Sequence, residues 1–362
     1  MPSPTPRPGI LDIAPYIPGK SKAAGGGRVI KLSSNETPLG PSLKAIAAYR
    51  EAGDSLHRYP DGGSEVLTQA LGRHYGLDPR GIVCGNGSDE ILALLARAYA
   101  GPGDEVLYTE HGFLVYPIAA LSAGATPVAA PETDLTADVD TLLARVTERT
   151  KLCFIANPNN PTGTYISAEA LQRLRDGLPD EAVLVVDSAY AEYVTRNDYT
   201  AGAEMVEAGD NVVMTRTFSK IFGLAALRLG WAYCPPAIAD VLHRTRGPFN
   251  VNAAAQAAGL AALEDVAFTD AARRHNDIWR PWLEEAIARL GYRVRPSVAN
   301  FILVEFPREA GRDADAAFAF LMERGIIPRQ IGGYGLPHCL RFTVGLEEEN
   351  RAVVAALSEF AA

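Results

Sequence analysis

Residues 183–193 read VLVVDSAYAEY. Four apolar residues, three of them valines, run without a polar break and stop at an acid, Asp187. A strand with one wet face alternates apolar and polar side chains, whereas an unbroken run fits a strand covered on both faces. Six further runs are built the same way: GIVCG (81–85), DEVLYTE (104–110), TPVAA (126–130), KLCFIAN (151–157), NVVMT (211–215) and GWAYC (230–234). Amphipathic stretches of helix length lie between most of them, among them SEVLTQALGRHYG (64–76), SDEILALLARAYA (88–100) and SAEALQRLRDGL (167–178). The alternation predicts an α/β fold, a mostly parallel sheet sandwiched by helices in a large domain. The rhythm changes after about residue 255. One long helical stretch over 254–290 leads to YRVRP, NFILVEF, a helix near 313–324, GIIPR, CLRFTV and a final helix, which predicts a smaller α+β domain. The Pro- and Gly-rich opening reads as an extended arm. The expected division is an arm over 1–37 packed with the small domain, a large domain over 38–255 and a small domain over 256–362. GGGR at 25–28 reads as a flexible loop, and RDADAAFAFLMERG at 312–325 as an amphipathic helix with its charges to water.

The chain has 362 residues, 48% of them hydrophobic, enough for a large core and about two domains. Its net charge of −9 argues against a nucleic-acid or anionic-membrane partner. No run approaches the ~18 apolar residues of a membrane span. The opening MPSPTPRPGI has no apolar core of a secretory signal, so a cytoplasmic location is expected. Cys84, Cys153, Cys234 and Cys339 are widely spaced, which suggests neither a disulfide framework nor a zinc site. His57, His74, His243, His275 and His338 show no metal spacing.

In open α/β sheets a ligand sits beyond the carboxyl ends of the strands. Four strand ends here carry unusual polar sequence. CGNGSDE (84–90) turns on Gly85 and Gly87 and opens a helix at Ser88, Asp89 and Glu90. Free N–H groups at such a start suit a phosphate, although an ordinary cap with an acidic first turn reads the same. NPNNPTGT (157–164) sets Asn160 in a rigid turn as a hydrogen-bond donor, or is simply a turn. Asp187 needs a cationic or hydrogen-bonding partner if buried, unless it caps a helix, and Tyr190 follows three residues later. TRTFSKIFGLAALRLGW (215–231) sets Lys220 among apolar and small residues, just after Ser219, with Arg228 eight residues on. A lysine held in an apolar pocket has a lowered pKa and attacks carbonyl carbons, whereas a lysine on a loop usually faces water. A phosphorylated pyridine aldehyde would engage all of these groups together.

These motifs identify a resemblance. With LSSNETPLGPS (32–42), RYPDGG (58–63), GPFNVN (247–252), ANFILVEF (299–306) and RQIGGYGLPHCLRFTVG (329–345), they resemble the class I/II pyridoxal-phosphate-dependent aminotransferases of fold type I over nearly the whole chain. The early and late segments resemble the histidinol-phosphate group within that family. The resemblance implies that Lys220 forms the internal aldimine with pyridoxal 5'-phosphate and shuttles a proton. It implies that Asp187 keeps the pyridine nitrogen protonated, and that Asn160 and Tyr190 bond the ring oxygen. Ser88, Asp89, Thr217, Ser219 and Arg228 would surround the phosphate. Tyr59 would reach that phosphate from a neighbouring subunit, making a homodimer part of the site. The family usually stacks a tyrosine on the ring. In TEHGFLVYP (109–117) Phe113 takes that place, with His111 as the rival.

Substrate recognition rests on Arg329, which ends GIIPR, and Arg341, inside the apolar strand CLRFTV. A buried arginine needs an anion, from either a nearby carboxylate of the chain or a ligand. With Tyr16 of the arm and Asn160, the pair is expected to grip the phosphate of L-histidinol phosphate in one half-reaction and a carboxylate of glutamate or 2-oxoglutarate in the other. The alternatives are an aromatic amino-acid aminotransferase or a decarboxylase of a phosphorylated amino acid on the same fold, and a regulator that only binds the cofactor.

Overall fold

The computed structural model describes residues 4–22 and 28–361. Residues 25–27, most of the expected GGGR loop, lie outside them. All seven apolar runs become strands of one sheet, in the order Ile82–Gly85, Gly230–Tyr233, Val212–Thr217, Val183–Asp187, Thr150–Ala156, Glu105–Thr109 and Thr126–Ala130. Gly230–Tyr233 is antiparallel to both neighbours, and the other pairings are parallel. The unbroken apolar pattern has the reason expected of it. Leu184 and Val186 enter one core, with Leu71, Ile155 and Trp231. Val183 and Val185 enter another, with Leu92, Phe154 and Ile238.

The helices begin and end where local chemistry places them. Ser167 caps Ala168–Gly177 by accepting from the N–H of Ala170. Gly76, left-handed at φ 70°, closes Glu65–Tyr75 by donating to Gly72 O. Among the described residues no helix is long and apolar enough to cross a membrane.

A second sheet of four antiparallel strands follows, ordered Arg293–Arg295, Phe301–Glu305, Cys339–Thr343 and Arg329–Gln330. Ile302, Val304, Leu340 and Phe342 pack with Leu283, Phe318, Leu321 and Leu357 in a separate core. Two details differ from expectation. The long helical stretch is two helices, Ala253–Leu263 and Val266–Ala288. Between them Asp265 leaves the helical region (φ −89°, ψ 62°) and meets Lys44 at 3.4 Å; Asp favours helix ends over interiors. GIIPR also splits, because Ile326–Ile327 pairs in parallel with Ile30–Lys31 of the arm while Arg329–Gln330 joins the four-stranded sheet.

Register gathers the polar strand ends on one edge. Asp187 lies opposite Ala156 on one side and Thr215 on the other, and Thr217 faces Gly230, which faces Gly85.

Candidate active site

A cavity of about 260 Å³ opens at that edge. Every site residue named from the sequence lines it except Tyr59; His111, the rival for ring stacking, does not. One end of it is a close-packed cradle. Gly87 has φ 82°, and a side chain there would come within 2.4 Å of Arg228 Nη2. A side chain at Gly230 would strike the Ser88 N–H at 2.2 Å. The helix Ser88–Tyr99 starts here with Gly87 at its cap position and no side chain capping it, so the plain-cap reading of Ser88 does not hold. Its first N–H groups have no acceptor within the helix. Glu90 turns back to accept from Asn86 N (2.6 Å) and Asn250 Nδ2 (2.7 Å). Arg228 bridges Asp89 at 3.1 Å and Ser219 Oγ at 3.4 Å, and Thr217 Oγ1 accepts from the Ser219 N–H at 3.1 Å.

At the opposite end Asp187 is 5% exposed and caps nothing. Its oxygens accept from Tyr116 Oη (2.9 Å) and Thr215 Oγ1 (3.1 Å). Burial pushes its pKa up to about 6, against the pull of those two hydroxyls. Lys220 donates to Ser34 O at 3.2 Å, with Nζ 5.6 Å from the centre of the Tyr190 ring. Burial first, then the charge of Arg341, lowers its pKa to about 8. Lys220 is therefore not a solvated loop lysine. Phe113 lines the cavity, edge-on to Tyr116 at 5.9 Å. His111 turns away instead, its Nδ1 2.7 Å from Tyr334 O.

Arg329 and Arg341 face one another across adjacent strands. Arg341 is 4% exposed and Arg329 9%. Among the described residues neither forms an ion pair, so the salt-bridge reading of Arg341 fails. Arg329 Nη2 donates to Ile17 O at 2.6 Å, and its guanidinium lies 5.9 Å from the Tyr16 ring. Arg341 donates to Ser33 O at 2.9 Å and to Asn160 Oδ1, and its Nε is buried without a partner. Asn160 thereby accepts from the chain through Oδ1. Tyr59 stands apart, 82% exposed and stacked at 4.7 Å on Phe249.

Tyr116, Thr215 and Asn35 were not singled out from the sequence. Tyr116 sits in LVYPIAAL and reads as a core aromatic; the signal was its hydroxyl, which needs a partner when buried. The donor set, a positive helix start with two hydroxyls and an arginine at one end and a buried carboxylate at the other, fits a phosphate and a cationic ring nitrogen.

The model of the aminotransferase class I and II family matches residues 27–357. The histidinol-phosphate aminotransferase of Paramagnetospirillum magneticum is 61% identical over 360 residues, 99% of each chain. That of Rhodospirillum centenum is 59% identical over the same span. Among solved structures, the Sinorhizobium meliloti histidinol-phosphate aminotransferase in complex with pyridoxal-5'-phosphate has a TM-score of 0.86 at 30% identity, covering 93% of this chain and 92% of that one. By its motifs, its fold and these likenesses, the chain belongs to the class I and II aminotransferase family.

Proposed function

We propose that this protein transfers an amino group between L-histidinol phosphate and 2-oxoglutarate, using pyridoxal 5'-phosphate held in the cavity at the sheet edge. The carrying observation is geometric: Lys220 and the buried Asp187 line one cavity with the Ser88 helix start, Ser219 and Arg228, and their surroundings bring Lys220 down to about 8 and Asp187 up to about 6. When bound, the cofactor supplies an aldehyde that condenses with amines and an electron-poor ring. The rest is done by the chain. Asp187, held by Tyr116 and Thr215, keeps a proton on the ring nitrogen. The Ser88 helix start, Thr217, Ser219 and Arg228 would hold the phosphate, and Phe113, which lines the cavity, would offer an apolar face to the ring. Lys220 Nζ, partly neutral near pH 8, takes a proton from the substrate's amine-bearing carbon and returns it elsewhere. Arg329 and Arg341, with Tyr16 and Asn160, hold the substrate's anion, phosphate in one half-reaction and carboxylate in the other.

Three further readings go with this one. The chain divides into an arm, a large domain to about residue 255 and a small domain. It works in the cytoplasm. It acts as a homodimer, in which Tyr59 serves the partner's phosphate site. Several large apolar side chains stand exposed on neighbouring segments, Leu43, Tyr49, Leu56, Tyr59 and Val66 among them. Phe249 holds the Tyr59 ring from a left-handed backbone (φ 56°) unusual for an aromatic residue.

Replacing Lys220 by Ala tests the reading. The variant is expected to fold and retain noncovalent cofactor, while turnover of histidinol phosphate falls by several orders of magnitude. Near wild-type turnover would refute it.

A further inference from the structure

Three consecutive residues of the arm touch three functional side chains. Ser33 O accepts from Arg341, Ser34 O accepts from Lys220, and Asn35 Nδ2 lies 2.9 Å from Tyr190 Oη. Asn35 is buried, with φ 56°, a left-handed conformation that Asn tolerates better than most residues. In that conformation its N–H reaches Thr343 Oγ1 at 2.9 Å while Asn300 Nδ2 donates to its carbonyl at 3.0 Å. The strand that carries Arg341 therefore fixes Asn35, and Asn35 meets Tyr190.

A phenol has one proton to donate. The single proton of Thr343 Oγ1 is within reach of both Leu32 O at 2.8 Å and Asn35 Oδ1 at 3.3 Å, to which the hydroxyl donates. The amide oxygen thus faces a hydroxyl, and the amide NH2 faces Tyr190. Tyr190 Oη accepts from Asn35 and has its own proton left for the cavity it lines. We propose that Asn35 is a positioning residue: by donating to Tyr190 Oη it commits the Tyr190 proton to an acceptor oxygen of the ligand in the cavity. This rests on the reading that the ligand is pyridoxal 5'-phosphate, whose ring oxygen is that acceptor. A hydrogen bond to this oxygen favours its charged form and lowers the pH at which the bound cofactor changes colour.

The test is a pH titration of the visible absorption of protein loaded with pyridoxal 5'-phosphate. In Asn35→Asp the carboxylate takes the Tyr190 proton for itself, and the colour midpoint is expected to rise by about 1 unit or more. Asn35→Gly fits the left-handed backbone without strain and should give a smaller rise. In a Tyr190→Phe background, adding the uncharged Asn35→Gly should move the midpoint no further. A purely structural role predicts lower melting temperatures with an unmoved midpoint, and that result overturns the proposal. If Asn35→Asp does not fold, an unmoved midpoint in Asn35→Gly overturns it instead. A wild-type protein that takes up no cofactor overturns the cofactor reading and this proposal with it. A coloured wild type beside an unshifted Asn35→Asp overturns this proposal alone.

Discussion

Arg216 and Arg341 are both arginines inside strands, and both are buried, yet they are kept in opposite ways. Arg216 faces away from the cavity and is matched on every side. Glu192 accepts from it at 2.7 Å, and its guanidinium lies 4.8 Å from the Tyr75 ring and 5.8 Å from the Trp231 ring. Arg341 lines the cavity with Arg329 opposite, no carboxylate partner among the described residues and one buried nitrogen unpaired. Burial works against its charge and lowers its pKa. A buried ion is costly unless paired. Arg216 is paired within the chain and holds structure. Arg341 and Arg329 have no such partner among the described residues, which supports the proposal that they take an anion of the substrate.

The largest expected effect is on the paired side. Glu192→Ala leaves Arg216 buried without its counter-charge and should cost about 3–5 kcal/mol in urea unfolding of the cofactor-free protein. A loss under about 1 kcal/mol would erase the contrast.

Asp187 gives the next effect, and a test by pH. Its folded pKa of about 6 lies above the ordinary carboxylate value of 3.8. The folded protein therefore binds more protons than the unfolded chain between those values, and stability falls as pH rises from about 4 to 6. Asp187→Asn removes this dependence and should stabilise the cofactor-free protein at neutral pH by about 1–3 kcal/mol, while weakening catalysis in the loaded enzyme. A helix cap would instead be nearly indifferent to the same change, because Asn caps about as well as Asp. Urea unfolding at pH 4 and pH 7 separates the two.

The smallest expected change is in the stability of Arg341→Met. Removing an unpaired buried charge should leave the cofactor-free protein within about 1 kcal/mol of wild type, although activity should be lost. Destabilisation as large as that of Glu192→Ala would make Arg341 a structural residue like Arg216.

Much of this was legible in the sequence, for local reasons. An apolar run covered on both faces is visible by itself, and a polar residue that ends it must lie at the sheet edge, so Asp187, Lys220 and the Ser88 turn could be located. The helix break at Asp265 was missed because Ala-rich periodicity continues through it. Tyr116, Thr215 and Asn35 were missed because their roles depend on partners 71, 28 and 155 residues away. Whether an arginine is paired is equally invisible along the chain: Arg216 and Arg341 differ only in what folding places beside them.

If Arg329 and Arg341 await the substrate's phosphate, kcat/KM for histidinol phosphate and for phenylalanine, with 2-oxoglutarate as acceptor, should respond differently in wild type and Arg329→Gln. Wild type should prefer histidinol phosphate by a wide margin, and Arg329→Gln should lower the phosphate substrate about 100-fold or more, with a smaller loss for phenylalanine. Equal losses for both substrates, or a wild-type preference for phenylalanine, would contradict the account.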